Sequence, residues 1–440
     1  MLRLHNLRLL DYLRFHYTLA DVARLDEFLH SAGTFHFPAL SNGLYPAAHL
    51  SAEHASGYAN VWIRDNVYVA HALLVDGQVE AGAAVVSGLA QFLTTQQSRI
   101  ANILDRSADH SDPMQRPHIR FDGHALAELD ETWPHAQNDA LGYFLWLAAR
   151  SISAGTLSPT DNLLQVITAV ALFLEAIDFP RDEDSGHWEE TRKQNMSSIG
   201  AATAGLRELL RLVELQPELL ARLQFHGHAL SLARLQTLVE QGLSELSASL
   251  PHECRDLDPL KRREADAALL FLICPLEIVT ERAAGEIVEL VKRDLAGDIG
   301  VRRYRGDSYW CGDYKAKLAP NERSADFSND IGSRDALLKP GEEAQWCIFD
   351  PILSIIAGRQ YQQTYDPAQL AEQTYFFNRS LAHLTADDSP FGGLRCPESY
   401  YLEHGRYVPV DQTPLLWTQA NLLVALHELR RSLKIARGAK

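Results

Sequence analysis

The sequence predicts an all-α fold in which helical hairpins wrap into a toroid. Three observations carry that prediction. Four-residue spacing of Leu, Ala and Val recurs along most of the 440 residues, as in "IGAATAGLRELLRLVELQPELL" from Ile199. Strand alternation is scarce, limited to possible short extended pieces near "HIRFDGHAL" and "GVRRYRG". Gly and Pro collect between the apolar-periodic segments rather than inside them.

Taken in order, residues 1–40 read as a lead-in. Candidate helices follow at about 67–81 and 82–96, the first behind Arg64-Asp65, which suits a helix start. Further helices are expected at 137–153, 160–177, 196–213, 227–249, 264–275 and 278–293, then at 348–358, 367–386 and 414–434. The connections 40–66, 101–136, 180–195, 299–346 and 387–413 are long, aromatic and charged. Long connections in a folded domain usually have a use, and these fit loops gathered at one mouth of a helical scaffold. Length alone suggests two or three domains, but closed helical barrels reach this size as one. The stretch "ECRDLDPLKRRE" at 253–264 is a possible linker, although helical texture resumes directly after it. One domain over 1–440 is expected.

Composition narrows the function. A hydrophobic content of 46% supports a large core, and the formal charge of -16 disfavours nucleic acid and anionic membranes as partners. A neutral partner such as a sugar is compatible. Five scattered cysteines without a CxxC argue against a disulfide framework. The N-terminal apolar residues are broken by His5, Arg8 and Asp11, unlike a signal-peptide core, and no apolar run reaches membrane-spanning length. A cytoplasmic location is expected.

His110 and His118 near Asp109 and Asp112 lack a recognised ligand spacing, so loop residues are the better reading and no metal is expected. No HExxH, Walker A, GxGxxG or GxSxG is present. Carboxylates beside aromatics are the stronger theme. They occur in "GYANVWIRDNVY", "DETWPHAQNDA", "HWEETRKQN", "RRYRGDSYW" and "RCPESYY". Sugars present apolar faces edged with hydroxyls, which aromatic platforms and charged hydrogen-bonding groups match. Acetal hydrolysis needs an acid for the leaving oxygen and a second carboxylate. Alone, each cluster is ordinary: Arg64-Asp65 and Glu189-Glu190 suit helix starts, and the tryptophans suit a core. Together they fall at helix-loop junctions or in the long connections.

These clusters resemble those of the glucoamylase family, glycoside hydrolase family 15, and of the glucoamylase-like domain of phosphorylase kinase alpha and beta regulatory subunits. The resemblance runs from about residue 40 to 434. It implies an (α/α)6 barrel with the site at the N-terminal mouth of the inner helices. It also implies inverting hydrolysis at non-reducing α-glucosyl ends, without a cofactor. Under it, "YANVWIRD" assigns Tyr58, Trp62, Arg64 and Asp65 to the terminal sugar, and "WPHAQNDA" assigns Trp133, Gln137 and Asp139 to the substrate site. "HWEE" supplies Trp188, Glu189 as general acid and Glu190 as a substrate contact. "RRYRGDSY" supplies Arg303 and Tyr304, with Arg302 replacing the family's glycine. Glu398 in "CPESYY" falls where the general base belongs, and Trp417 matches an aromatic at the rim. Glu403 and Asp411 are rivals for the base, because Glu398 lacks a following Gln whereas Asp411 has one.

"WIRDNVY", "HAQNDALG", "SSIG" and "PLLWTQANL" lean toward the kinase-subunit branch. A catalytically inactive sugar-binding or regulatory domain is therefore the alternative expectation. A phosphorylase or trehalase on the same scaffold is a further rival.

Overall fold

Twelve of the fifteen α-helices among the described residues fall into two burial classes, and that division explains the architecture. The structure is a computed structural model that describes residues 2–48 and 57–438. Residues 49–56, inside the first long connection, lie outside the described residues, as do residue 1 and residues 439–440.

The barrel helices are α1 (Leu19–Ser31), α2 (Ile63–Val75), α3 (Val79–Thr95), α4 (Asn138–Ser153), α5 (Asp161–Ala176) and α6 (Met196–Leu215). They continue with α7 (Leu232–Ser249), α8 (Leu270–Ile273), α9 (Glu281–Asp294), α10 (Phe349–Thr364), α11 (Pro367–Ala382) and α12 (Leu416–Gly438). Helices α2, α4, α6, α8, α10 and α12 touch in that order, and α12 closes back on α2. Outside them α3, α5, α7, α9, α11 and α1 pack on α2, α4, α6, α8, α10 and α12 in turn. The result is an (α/α)6 barrel. Inner helices α4 and α6 are buried on nearly every side, whereas outer α7 and α9 bury a single stripe, as their positions require. One apolar cluster runs from Leu9 to Leu429.

Several element boundaries differ from expectation. The lead-in contains α1, started by a reciprocal cap between Thr18 and Asp21. It is tied to the barrel by Arg430 to Asp26 at 2.6 Å and Tyr17 to Asn378 at 2.7 Å. The break between α2 and α3 falls at Gly77, whose φ of +84° a side chain would resist, rather than near residue 81. The helix expected at 264–275 shortens to a 3-10 turn and α8, because Asp266 caps Ala268 N–H and Cys274 turns extended before Pro275. An extra helix, Gln97–Leu104, covers α5, which is why that outer helix is so apolar.

Short sheets edge the mouth. Strand β1 (Val61–Trp62) pairs antiparallel with β2 (Arg120–Phe121), within the piece expected to be extended. A small hairpin, β3 (Gln224–Phe225) with β4 (His228–Ala229), lies apart. The third sheet orders β5 (Gln345–Trp346), β6 (Ser399–Glu403) and β7 (Arg406–Pro409). In "GVRRYRG" only isolated bridges form, Val301 to Ala296 and to Trp346.

Candidate active site

The inner helices present their N-terminal ends to one cavity. Trp62 precedes α2, and Arg64 and Asp65 occupy its first turn. Gln137 and Asp139 stand at the start of α4, and Trp188-Glu189-Glu190 lie ahead of α6. Asp266 lies ahead of α8, Trp346 ahead of α10, and Trp417 in the first turn of α12. Glu398 enters just before β6. Helix N-termini favour anionic groups, so six of them around one mouth suit a site built on carboxylates.

The turn at 186–190 sends two adjacent glutamates in different directions. Glu189 takes a left-handed backbone, φ 58° and ψ 41°, after a single 3-10 turn. Such a conformation is uncommon for a residue with a Cβ. Its Oε1 accepts from Trp62 Nε1 at 2.7 Å, Gln137 Nε2 at 3.1 Å and an Arg64 nitrogen at 3.5 Å. No described residue hydrogen-bonds Oε2, and the side chain lines the cavity. Burial pushes its carboxyl up, opposed by Arg64, Arg120 and the bonds from Trp62 and Gln137.

Glu190 instead meets a cluster of cations. It accepts from Arg334 at 2.6 Å, Arg303 at 3.1 Å and Tyr304 Oη at 2.7 Å. Arg263 adds a longer contact at 3.4 Å. Burial opposes its charge, but Arg303, Arg334 and Arg263 outweigh that and hold the carboxyl well below the usual range. Glu190 lies behind the cavity wall.

Glu398 is 3% exposed and lines the same cavity as Glu189. Its Oε1 accepts from Tyr58 Oη at 2.9 Å, and that hydroxyl also contacts Tyr309 Oη at 3.0 Å. Oε2 has no hydrogen-bond partner among the described residues. Burial pushes the carboxyl up to about 8, against the pull of Tyr58 and Arg303. Burial thus raises both glutamates, so protonation alone does not separate an acid from a base here. The Tyr58 and Trp62 rings, 5.3 Å apart, connect the two carboxyls, one bonded to each.

The two rivals lie elsewhere. Glu403 accepts from Tyr401 at 2.5 Å, and Asp411 pairs with Lys315 at 2.5 Å; neither lines this cavity.

Tyr58, Trp62, Arg64, Asp65, Trp133, Trp188, Arg303 and Trp417 also line the cavity. Gln137, Asp139 and Tyr304 stand behind it. Asp139 bonds Arg64 at 2.6 Å and Gln137 bonds Glu189, so both act by holding cavity residues in place. Burial pushes Asp65 up to about 7, with Arg64 opposing. Arg303 is held by Asp307 at 2.5 and 2.6 Å and lies between Trp188 and Trp346, 5.0 and 4.8 Å from their rings. Trp133 Nε1, Trp417 Nε1 and Arg64 Nε are buried without a partner among the described residues. Buried polar atoms are rarely left so, and a hydroxyl-rich ligand offers what they lack.

Sequence reasoning missed Arg120, Tyr309, Trp346 and Phe327 in the wall. Arg120 arrives through the β1–β2 pairing and stacks over Trp133 at 3.8 Å. Tyr309 lay inside a quoted cluster, but only folding shows its contact with Tyr58. No group of three or more potential metal ligands occurs among the described residues.

The sequence profile described as glycosyl hydrolases family 15 matches residues 23–245. This chain belongs to glycosyl hydrolase family 15. A probable phosphorylase b kinase regulatory subunit alpha from Caenorhabditis elegans is 26% identical over 413 residues, covering 85% of this chain and 31% of its own length. An uncharacterized lipoprotein, YgeQ, from Escherichia coli strain K12 is 30% identical over 145 residues, covering 29% of this chain and 55% of its own. The chain thus spans about a third and about half of these relatives. Among solved structures, a wild-type glycosidase superposes with a TM-score of 0.66 at 20% identity, covering 93% of this chain and 97% of its own. A bacterial glucoamylase complexed with acarbose gives 0.59 at 13% identity, over 89% and 53%. A glucoamylase from Saccharomycopsis fibuligera gives 0.60 at 12%, over 96% and 97%. At such identities these likenesses establish the glucoamylase-like (α/α)6 fold. No helix among the described residues is long and apolar enough to cross a membrane.

Proposed function

We propose that this family 15 member forms one domain that removes α-glucosyl units from non-reducing ends of an oligo- or polysaccharide, with inversion. The observation that carries the reading is a pair of buried carboxyls, Glu189 and Glu398, lining one aromatic cavity. In the proposed mechanism the terminal sugar lies against Trp62 and Trp133. Arg64, Asp65 and Arg303 hold its hydroxyls. Glu189 delivers its proton to the glycosidic oxygen from Oε2. Glu398, oriented by Tyr58 and in its ionised form, takes a proton from the attacking water through its unpaired Oε2. An inverting pair stands roughly 6.5–9.5 Å apart to admit that water. Glu190 is assigned here to holding Arg303 rather than to the sugar itself.

The solved glycosidase variant complexed with glucose and the glucoamylase complexed with acarbose support a carbohydrate ligand. The kinase-subunit relative favours a second reading, a sugar-binding regulatory domain without turnover. A reducing-sugar screen separates them, run on maltose, isomaltose, trehalose, kojibiose, nigerose, dextrin and glycogen, with and without phosphate. Hydrolysis without phosphate, lost in Glu398→Gln but retained in Glu403→Gln and Asp411→Asn, supports the mechanism. Sugar binding with no turnover on any substrate supports the second reading. Phosphate-dependent release points to a phosphorylase.

A further inference from the structure

Behind Glu190 lies a second cavity of about 440 Å3, within the roughly 300–1,000 Å3 range of small-molecule sites. Arg303 faces the sugar cavity and bonds Glu190, which faces the second one. Lys193, Arg262, Arg263 and Arg305 contribute to its wall.

Lys193 is the informative residue. It is 2% exposed, and its ammonium makes one hydrogen bond, to the Thr191 carbonyl at 3.2 Å. It forms no ion pair among the described residues. An ammonium carries three donors, and a buried charge without a counter-ion is costly. Burial, with Arg263 nearby, pushes Lys193 down to about 8, against the pull of Glu190, Asp266 and Glu253.

The acids around it are already engaged. Glu190 is held by Arg303 and Arg334, and Glu264 by Arg262 at 2.7 Å. Asp294 pairs with Arg293 at 2.6 Å, and Asp335 accepts from Ser308 at 2.5 Å. The nearby Glu253 accepts from Ser197 N–H at 3.1 Å and from Ser197 Oγ at 2.5 Å. Arg263 stacks 3.3 Å over the Tyr304 ring and reaches Glu190 and Asp266 only at 3.4–3.5 Å, the weak end of hydrogen bonding. Arg305, at the rim with its side chain 70% exposed, donates Nε to the Asp294 carbonyl at 3.1 Å and approaches the Asp294 carboxylate only at 3.6 Å.

We propose that this cavity binds a phosphoryl-type oxyanion, with Lys193 as its buried anchor and Arg263 and Arg305 as flanking donors. Free phosphate and the phosphate of a sugar phosphate offer the same chemistry. Charge-assisted bonds from one ammonium and two guanidiniums suit its tetrahedral oxygens. The site is separate from the sugar cavity and does not depend on hydrolysis.

The test is thermal denaturation and calorimetric titration with inorganic phosphate and, separately, glucose 6-phosphate, against chloride at equal ionic strength. Wild type is expected to show a saturable rise in Tm. Lys193→Met is expected to weaken phosphate binding about tenfold or more, and the exposed Arg305→Ala about threefold. If Lys193→Met fails to fold, Arg305→Ala carries the test. Equal response to both ligands assigns the site to the phosphate group. Response to glucose 6-phosphate alone, lost in the variants, assigns it to a sugar phosphate. No response in wild type overturns the proposal, as does undiminished binding in the folded variants.

Discussion

Glu189 and Glu190 are neighbours in the chain, yet folding gives them opposite surroundings. Glu189 faces aromatic rings and open cavity, and burial raises its carboxyl. Glu190 faces three arginines and a tyrosine, which keep it charged. One peptide unit in the left-handed region produces that divergence. A carboxyl raised by burial and a carboxyl held well below the usual range by arginines are thus made from the same side chain. Residue type alone does not assign a catalytic role; surroundings do.

The largest expected effect breaks the first half of this comparison. Glu189→Gln is expected to fold normally and keep sugar binding, while turnover falls about 10²–10⁴-fold. Steady-state kinetics on a natural α-glucoside and calorimetric sugar binding check it. Unchanged turnover removes Glu189 from the acid role.

Glu190→Gln tests the other half, and here the loss is expected in stability. Removing the carboxylate leaves Arg303 and Arg334 facing each other with one counter-ion fewer. Breaking a buried ion pair costs about 3–5 kcal/mol. Chemical denaturation is expected to show that loss in Glu190→Gln and no comparable loss in Glu189→Gln. Equal destabilisation of the two would mean the pair divides no labour.

Glu398 extends the comparison to pH. Its folded carboxyl sits near 8, above the ordinary value of 4.5. A raised folded value gives a contribution that is fully present below about pH 4.5 and lost as pH rises toward 8. The stability of wild type relative to Glu398→Gln is therefore expected to fall across that window. The fall should reach at least about 1.4 kcal/mol, the equivalent of one pKa unit. Denaturation midpoints at pH 4.5, 6 and 8 read it, and a flat difference contradicts it.

Much of this was legible before folding, and the reasons are physical. Most barrel helices announce themselves because an inner or outer position imposes its own apolar spacing. Trp62, Arg64 and Asp65 sit within four residues, so one motif carries them into the site. Arg334 and Arg263 were not legible as partners of Glu190, since 144 and 73 residues separate them. Arg120 depended on a two-residue strand pairing, too short to leave a periodic signal. The start of α1 was written in the sequence as Thr18 followed by Asp21, a capping signal that lay inside the residues read as a lead-in. Glu190 was assigned to the sugar by resemblance, whereas its bonds point away from the cavity.

The smallest effect isolates the backbone that separates the two glutamates. At φ 58° a Cβ crowds the chain, and glycine does not. Glu189→Gly and Glu189→Ala both remove the carboxyl, the bond from Trp62 and the burial of charge. They differ chiefly in the presence of Cβ. If the left-handed turn persists without the carboxyl, the glycine variant is expected to be more stable than the alanine variant by about 1 kcal/mol, read by denaturation at one pH. Glycine also loses more freedom on folding, which works against this difference. An alanine variant as stable as the glycine variant would mean that the turn relaxes once the carboxyl is gone. The Trp62, Gln137 and Arg64 contacts, rather than the surrounding chain, would then be what holds Glu189 toward the cavity.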